Sequence, residues 1–412
     1  MHHFAPPSTF DLPPSDPAVP FAPPIYLDHA ATTPVDPSVI AAMLPHWASG
    51  WGNPSSLYAA GRAARGALDD ARATVARILG CAPNAIVFTS GGTEANNLAL
   101  KGVVEAALAT GRGAHFITAQ TEHHAVLHAA DDLAARGATV TCLPVDAAGF
   151  VDPAAVEAAL RPETCLIAIM YANNEIGTIA PLAQIAEVAR RHGVPFHTDA
   201  VQAAGSLPLE VRALGVDSLA LAAHKFYGPK GVGALYIRPG TPMRYQQQGG
   251  PQEGDRRGGT ENVAGIVGLA TALARAETDR PAYTAHCRAL RDRLRDGILS
   301  TIPDSRLNGP HDAGRLPNNL NIAFAGVEGE SLIIALDLAG IAASSGSACT
   351  TGATEPSHVL RAIGVPASHS GGSLRLTVGR DNTPAQIDAL LAVLPAIVAR
   401  LRASAAAPDL WS

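Results

Sequence analysis

The chain has 412 residues, a net charge of −6, and 47% hydrophobic against 16% charged residues. That is enough to bury a large core, divided between two domains, in an ordinary globular enzyme. The acidic balance gives no electrostatic reason to expect nucleic acid or an anionic membrane as the main partner. No apolar run approaches the roughly 18 residues that a membrane helix needs.

Residues 1–24 are proline-dense, with no basic stretch leading into an apolar one, so they read as an extended arm rather than a signal peptide. From about residue 84 the pattern alternates. Strands are predicted at 85–89, 115–119, 139–145, 166–171, 194–199, 218–222 and 233–237, with helical periods at 94–109, 125–136, 153–160 and 182–192 between them. This alternation predicts an α/β fold, a mostly parallel central sheet covered by helices on both faces, with ligands met at the carboxyl ends of the strands. The polar, glycine-rich stretch 243–259 is too long for a simple turn and reads as a functional loop. Helical segments at 262–277 and 283–300 then lead into a smaller α+β tail, with strands near 319–324 and 374–378 and helices near 329–338 and 384–402. The expected division is an arm at 1–24, a large domain at 25–265 whose first segment could pack on the small domain, and a small domain at 266–412.

The five cysteines, Cys81, Cys142, Cys165, Cys287 and Cys349, are scattered and form no CxxC pair, which argues for a reducing compartment, the cytoplasm by default. Only three lysines occur, and two of them, Lys225 and Lys230, fall within six residues. A task that arginine is unable to perform, such as forming a Schiff base, explains their retention better than drift. Ser90–Glu94 follows a strand and opens a helix, so Gly92 and Thr93 could present free N–H groups to an anion; a simple capped helix start is an equal reading. Asp199 ends a buried strand, where a carboxylate is costly unless it meets a cation or several donors. His224 and Lys225 end the next apolar run. A carboxylate for a ring nitrogen, a lysine for an aldehyde and a helix start for a phosphate are together what a pyridoxal-phosphate site requires.

His123 also follows a strand, where an imidazole could stack on a cofactor ring and pass protons, or lie on the surface. His124 and His128, four apart, suggest zinc only weakly, because no third ligand is near in sequence. Cys349 sits in a loop of small residues ended by Glu355-Pro356, suited to an exposed and mobile thiolate, whereas Cys142 and Cys165 sit in apolar runs like buried structural cysteines. Arg375, in a core-like strand, wants a carboxylate, either from a substrate or from a structural salt bridge.

These residues identify a resemblance. From Pro24-Ile-Tyr-Leu-Asp28 to about Arg402 the chain resembles the NifS/IscS-like cysteine desulfurases, in the class V aminotransferase group of fold-type I pyridoxal-phosphate enzymes. The segments that carry it include Gly52-Asn-Pro-Ser55, Phe88–Glu94, Asn173-Asn-Glu-Ile-Gly177, His224–Gly231 and Ser344-Ser-Gly-Ser-Ala-Cys349. The cysteine motif is similar to that of the long-loop class rather than the SufS-like class. The resemblance implies that L-cysteine becomes L-alanine while sulfur passes as a persulfide to Cys349 in the mobile loop 344–355, then to an acceptor protein such as an iron–sulfur scaffold. Lys225 would hold the cofactor and move protons, Asp199 would pair with the ring nitrogen, Gln202 would bond the ring hydroxyl, and His123 would stack and act as acid and base. Gly92, Thr93 and His224 would hold the phosphate, with Thr260 arriving from the second subunit of a homodimer. Arg375, Asn53 and Asn174 would bind the substrate, Asn174 also supporting the ring. No resident metal is expected, although Cys349 could transiently ligate a nascent iron–sulfur cluster.

One departure stands out. Relatives usually carry serine at the position of Ala222, so somewhat weaker cofactor retention is expected here. The competing readings are a selenocysteine or cysteine sulfinate lyase, another aminotransferase-fold enzyme, or a non-catalytic scaffold for sulfur-transfer partners. The acceptor is not named by the sequence, since iron–sulfur assembly, nitrogenase maturation and tRNA thiolation draw on the same persulfide.

Overall fold

The computed structural model describes residues 24–111, 113–345 and 357–406. The arm at 1–23, and Cys349 with Glu355-Pro356 in the loop 346–356, lie outside the described residues. Twelve strands are described: β1 (Ile25–Tyr26), β2 (Ile86–Thr89), β3 (His115–Ala119), β4 (Thr139–Leu143), β5 (Thr164–Ala168), β6 (Phe196–Asp199), β7 (Ser218–Ala222), β8 (Gly233–Ile237), β9 (Ser305–Leu307), β10 (Asn319–Phe324), β11 (Ile341–Ala342) and β12 (Ser373–Thr377).

Seven of them form one sheet in the order β2-β8-β7-β6-β5-β3-β4, the seven expected from the sequence. All neighbours are parallel except β8, which runs antiparallel between β2 and β7. The pleat sends alternate side chains to opposite faces, and both faces are apolar. Ile86, Phe88, Ile117, Ile167, Leu219 and Tyr236 join one core with the helices Ala59–Leu79 and Leu182–His192. Val87, Phe116, Leu166, Ala220 and Leu235 join the other, under the helices Gly92–Leu108 and His124–Ala135.

A third core surrounds the antiparallel sheet β12-β10-β9. It also takes in Leu27 from the beginning of the described chain, and β1 pairs in parallel with β11. The two helical segments expected at 262–277 and 283–300 are one continuous helix, Val263–Thr301, of 39 residues, with Pro281 inside it. Val263–Leu273 contributes to the first core and Cys287–Ile298 to the third, while no residue between 274 and 286 is buried. That exposed middle, with its proline, is what the apolar pattern registers as a break.

The helix Pro384–Ala406 corrects the reading of apolar runs: by length and composition its stretch 384–405 could cross a membrane. Its Ile387, Leu390, Leu394 and Val398 stripe instead packs into the third core. The cysteine reading is corrected too. Cys142 is exposed, because β4 is the edge strand, and Cys165 is half-buried; Cys287 is the buried one. The loop 243–259 is fastened by Glu253, buried, which accepts two N–H groups of Arg72 at 2.7 and 2.8 Å and the Phe88 N–H at 3.0 Å.

Candidate active site

Segments following β2, β3, β5, β6 and β7 converge on a cavity of about 320 Å³ between the large sheet and the third core. Gly92, Thr93, His123, Asn174, Asp199, Gln202, Ala222, His224 and Lys225 line it, and Arg375 of β12 closes the far side. This is the crevice at the strands' carboxyl ends where open α/β sheets bind ligands.

At one end, Gly92 begins the helix Gly92–Leu108 and lies so close to the wall that a Cβ there would stand 2.7 Å from Val201 Cγ2. The backbone N–H groups of a first helical turn have no partners within the helix and attract an anion. Glu94, which would repel an anion, is turned aside by the Ser90 N–H at 2.7 Å and by Arg257 at 2.8 Å. His224 faces the same end, with Nδ1 3.2 Å from Thr32 Oγ1. Burial, with Lys225 and Lys230 adding repulsion, pushes its pKa down to about 4, so near neutral pH it is an uncharged partner.

Asp199 is buried at the floor. Its Oδ1 accepts the Val201 N–H at 2.9 Å and its Oδ2 accepts Asn96 Nδ2 at 2.6 Å. Lys225 Nζ donates to the carbonyls of Ala30 and Ala31 at 2.6 and 2.7 Å, so the segment following β1 wraps the lysine. Two residues on, Tyr227 holds a left-handed φ of 64°, a conformation that costs a non-glycine residue on the order of 1–3 kcal/mol. Thr33 Oγ1 secures it by accepting the Tyr227 N–H at 2.7 Å. Gln202 Nε2 donates to Ala30 O at 3.0 Å.

His123 caps the helix His124–Ala135, its Nδ1 accepting the Ala125 N–H at 3.1 Å. In the neutral ring the proton is therefore on Nε2. Burial lowers its pKa, opposed by Asp199 and assisted by Lys225. Arg375 is 2% exposed; its Nη2 pairs with Asp28 Oδ1 at 2.8 Å and its Nη1 donates to Asn174 O at 3.1 Å. Arg375 thus makes a structural salt bridge and also lines the cavity.

Two expected residues are not brought to the cavity of their own chain. Asn53 is exposed, and its side-chain carbonyl is occupied by the Ser55 N–H at 2.9 Å. Thr260 is exposed in the segment preceding the long helix and does not line the cavity. Sequence reasoning missed Asn96, Asp28, Glu175 and His358. Glu175 is buried, its pKa raised by that burial, and it accepts Ser357 Oγ at 2.6 Å, anchoring the first described residue after the cysteine loop. His358 is the third imidazole beside His124 and His128, 4.7 Å from His124 between ring centroids. Among the described residues, however, no group of three ligands could hold a metal ion.

The geometry defines an enzyme of the fold-type I pyridoxal-phosphate architecture, and comparison with known proteins agrees. The chain belongs to the class V aminotransferase family, whose model matches residues 25–390. Within that family it falls among the cysteine desulfurases. It is 50% identical to the cysteine desulfurase IscS of Methanosarcina thermophila over 380 residues, covering 92% of this chain and 93% of the relative. To the cysteine desulfurase IscS of Dictyoglomus turgidum it is 49% identical over 378 residues, covering 92% and 95%. A solved structure described as a NifS-like protein superposes with a TM-score of 0.86 at 35% identity, covering 92% of this chain and all of that one.

Proposed function

We propose that this chain binds pyridoxal phosphate in the cavity and moves the sulfur of L-cysteine onto its own Cys349, releasing L-alanine. The observation that carries the reading is the convergence of Lys225, Asp199, the open helix start at Gly92 and Arg375 on one cavity. The residues fit the cofactor. Gly92 lets the helix start sit closer to Val201 than a Cβ would allow, the first turn supplies N–H donors, and Asp199 is a buried carboxylate in the cavity lining that would pair with a ring nitrogen.

When bound, the cofactor supplies an aldehyde for amines and a ring that accepts electron density from bonds breaking at the amino acid's carbons. Lys225 holds it and shuttles protons on the substrate carbons, Gln202 bonds the ring hydroxyl, and His123, with its proton on Nε2, stacks and serves as acid and base. Gly92, Thr93 and His224 hold the phosphate. Arg375 exchanges part of its pairing with Asp28 for the substrate carboxylate, beside Asn174. The Cys349 thiolate attacks the substrate sulfur. The S–S bond forms as the C–S bond breaks, the carbon keeps the electron pair and takes up a proton, and thiol plus cysteine become persulfide plus alanine.

A homodimer completes the site in this reading. Ile40, Leu44 and Trp47 make an exposed apolar stripe at i, i+4 and i+7 on the helix Pro37–Ala48, and Trp51, Leu57 and Tyr58, a few residues further on, are exposed too. An apolar surface of this kind marks a protein interface. Asn53 falls in the same stretch of sequence and is exposed, and both Asn53 and Thr260 would serve the neighbouring subunit's cavity. The persulfide then passes to an acceptor protein such as an iron–sulfur scaffold, in a reducing, cytoplasmic setting.

The test is release of alanine and sulfide from L-cysteine with a thiol reductant, comparing wild type, Lys225→Ala and Cys349→Ala. Both products from wild type and neither from the variants is the expected result. Full turnover by Cys349→Ala would transfer the assignment to a lyase or aminotransferase.

A further inference from the structure

From Asn96 in the cavity wall, a line of three buried polar side chains runs behind Asp199: Asn96, His197 and Ser218, each 2% exposed or less. Asn96 Nδ2 is 2.6 Å from Asp199 Oδ2, Asn96 Oδ1 is 2.9 Å from His197 Nε2, and His197 Nδ1 is 2.9 Å from Ser218 Oγ. They come from three separate elements, the helix Gly92–Leu108, β6 and β7.

Chemistry gives this line a single direction. A carboxylate only accepts, so the amide NH₂ of Asn96 faces Asp199 and its oxygen faces His197. His197 Nε2 therefore carries a proton. In the neutral ring Nδ1 is bare and accepts the Ser218 hydroxyl proton. Complete burial drives the imidazole pKa down to about 3, so the ring is neutral at working pH and the direction is fixed. Both Asp199 oxygens then have a partner set by the scaffold, Val201 N–H on Oδ1 and the relay on Oδ2.

We infer that Asn96, His197 and Ser218 are positioning residues that fix how the Asp199 carboxylate meets the cofactor's ring nitrogen and how firmly that nitrogen keeps its proton. The inference rests on the reading that this cavity binds pyridoxal phosphate. None of the three touches the reacting atoms; they act through Asp199. Removing the Asn96 donor leaves Asp199 Oδ2 without its partner at the base of the site, and removing the His197 donor releases Asn96 to rotate.

The experiment uses apoprotein titrated with pyridoxal phosphate whose ring nitrogen is ¹⁵N-labelled, reading the dissociation constant and the ¹⁵N shift. Asn96→Leu and His197→Leu should each loosen binding by roughly tenfold or more, the range of a hydrogen bond to a charged group, and move the shift toward unprotonated nitrogen. His197→Gln should stay near wild type, because its amide N–H can stand where Nε2–H stood. A purely structural role would lower the melting temperature and leave the shift alone. Should the leucine variants fail to fold, Ser218→Ala decides, with looser binding and a moved shift expected. If wild type binds pyridoxal phosphate while these variants match it in affinity and shift, the relay is wrong and the site reading stands. If wild type binds none, both fall.

Discussion

Gly92→Ala is the sharpest perturbation of the proposed phosphate end. The added Cβ would sit 2.7 Å from Val201 Cγ2 and 3.5 Å from Ala222 Cβ, while an ordinary contact begins near 3.4 Å. Something must move by about 0.7 Å. Val201 is β-branched and stiff, and its own N–H holds Asp199, so it has little freedom to yield. The helix start moves instead, and with it the N–H groups that would meet the phosphate. Overpacking of this size costs about 1–3 kcal/mol, which corresponds to cofactor binding weakened roughly 5- to 150-fold. Titration of apoprotein with pyridoxal phosphate, followed by cofactor absorbance, measures it. Val201→Ala in the same chain should restore most of the affinity, since it removes the clashing methyl and keeps the N–H. A dissociation constant within twofold of wild type for Gly92→Ala would refute the reasoning.

Four further outcomes are expected. Ala222→Ser adds a hydroxyl to the cavity wall and should tighten cofactor binding by about fivefold, on the order of one neutral hydrogen bond; an unchanged dissociation constant would count against the phosphate assignment. Arg375→Lys keeps the charge but loses the planar fork shared by Asp28 and Asn174 O, so KM for cysteine should rise on the order of tenfold in steady-state assays, with the folded protein intact. Acid should destabilise the fold: unfolded imidazoles take up protons near pH 6.5, whereas His197 and His224 do so only near 3 and 4 when folded. The unfolded chain thus binds more protons in that window, so denaturant melts should show stability present above pH 6.5 and falling below it, less steeply in His197→Gln. Leu44→Glu combined with Trp51→Glu puts charge among the exposed apolar side chains and should give a monomer by light scattering, a dimer being the result expected of wild type.

Much of the fold was legible because alternation of apolar strands with helical periods is a strong local signal, and β3, β7, β8 and β10 fall where that pattern put them. Short elements such as β1, β9 and β11 have two or three residues and owe their existence to partners far away in sequence, so nothing local announces them. The long helix was read as two because its middle passes between cores without burial. In the site, Lys225, Asp199 and Gly92 were readable because each chemistry needs one residue type at a strand end. Asn96 was not, because an asparagine inside a helix carries no signal until Asp199 and His197 are folded against it. Asn53 and Thr260 do not line the cavity of their own chain, and nothing in their local sequence foretells it.

The central claim is that Cys349 receives the sulfur. Among the other thiols, Cys81, Cys142 and Cys165 are pushed up to about 11 and Cys287 to about 12, chiefly by burial, which keeps them protonated near neutral pH; Cys142, the most exposed of the four, serves as the internal comparison. The direct measurement is peptide mass spectrometry after one exposure of the cofactor-loaded enzyme to ³⁴S-labelled L-cysteine without reductant, with alanine quantified in the same sample. The account predicts one labelled sulfur on the peptide bearing Cys349, matched by alanine in equal amount and absent from Cys349→Ala. Alanine formed with the label on Cys142, or on no cysteine at all, would contradict it.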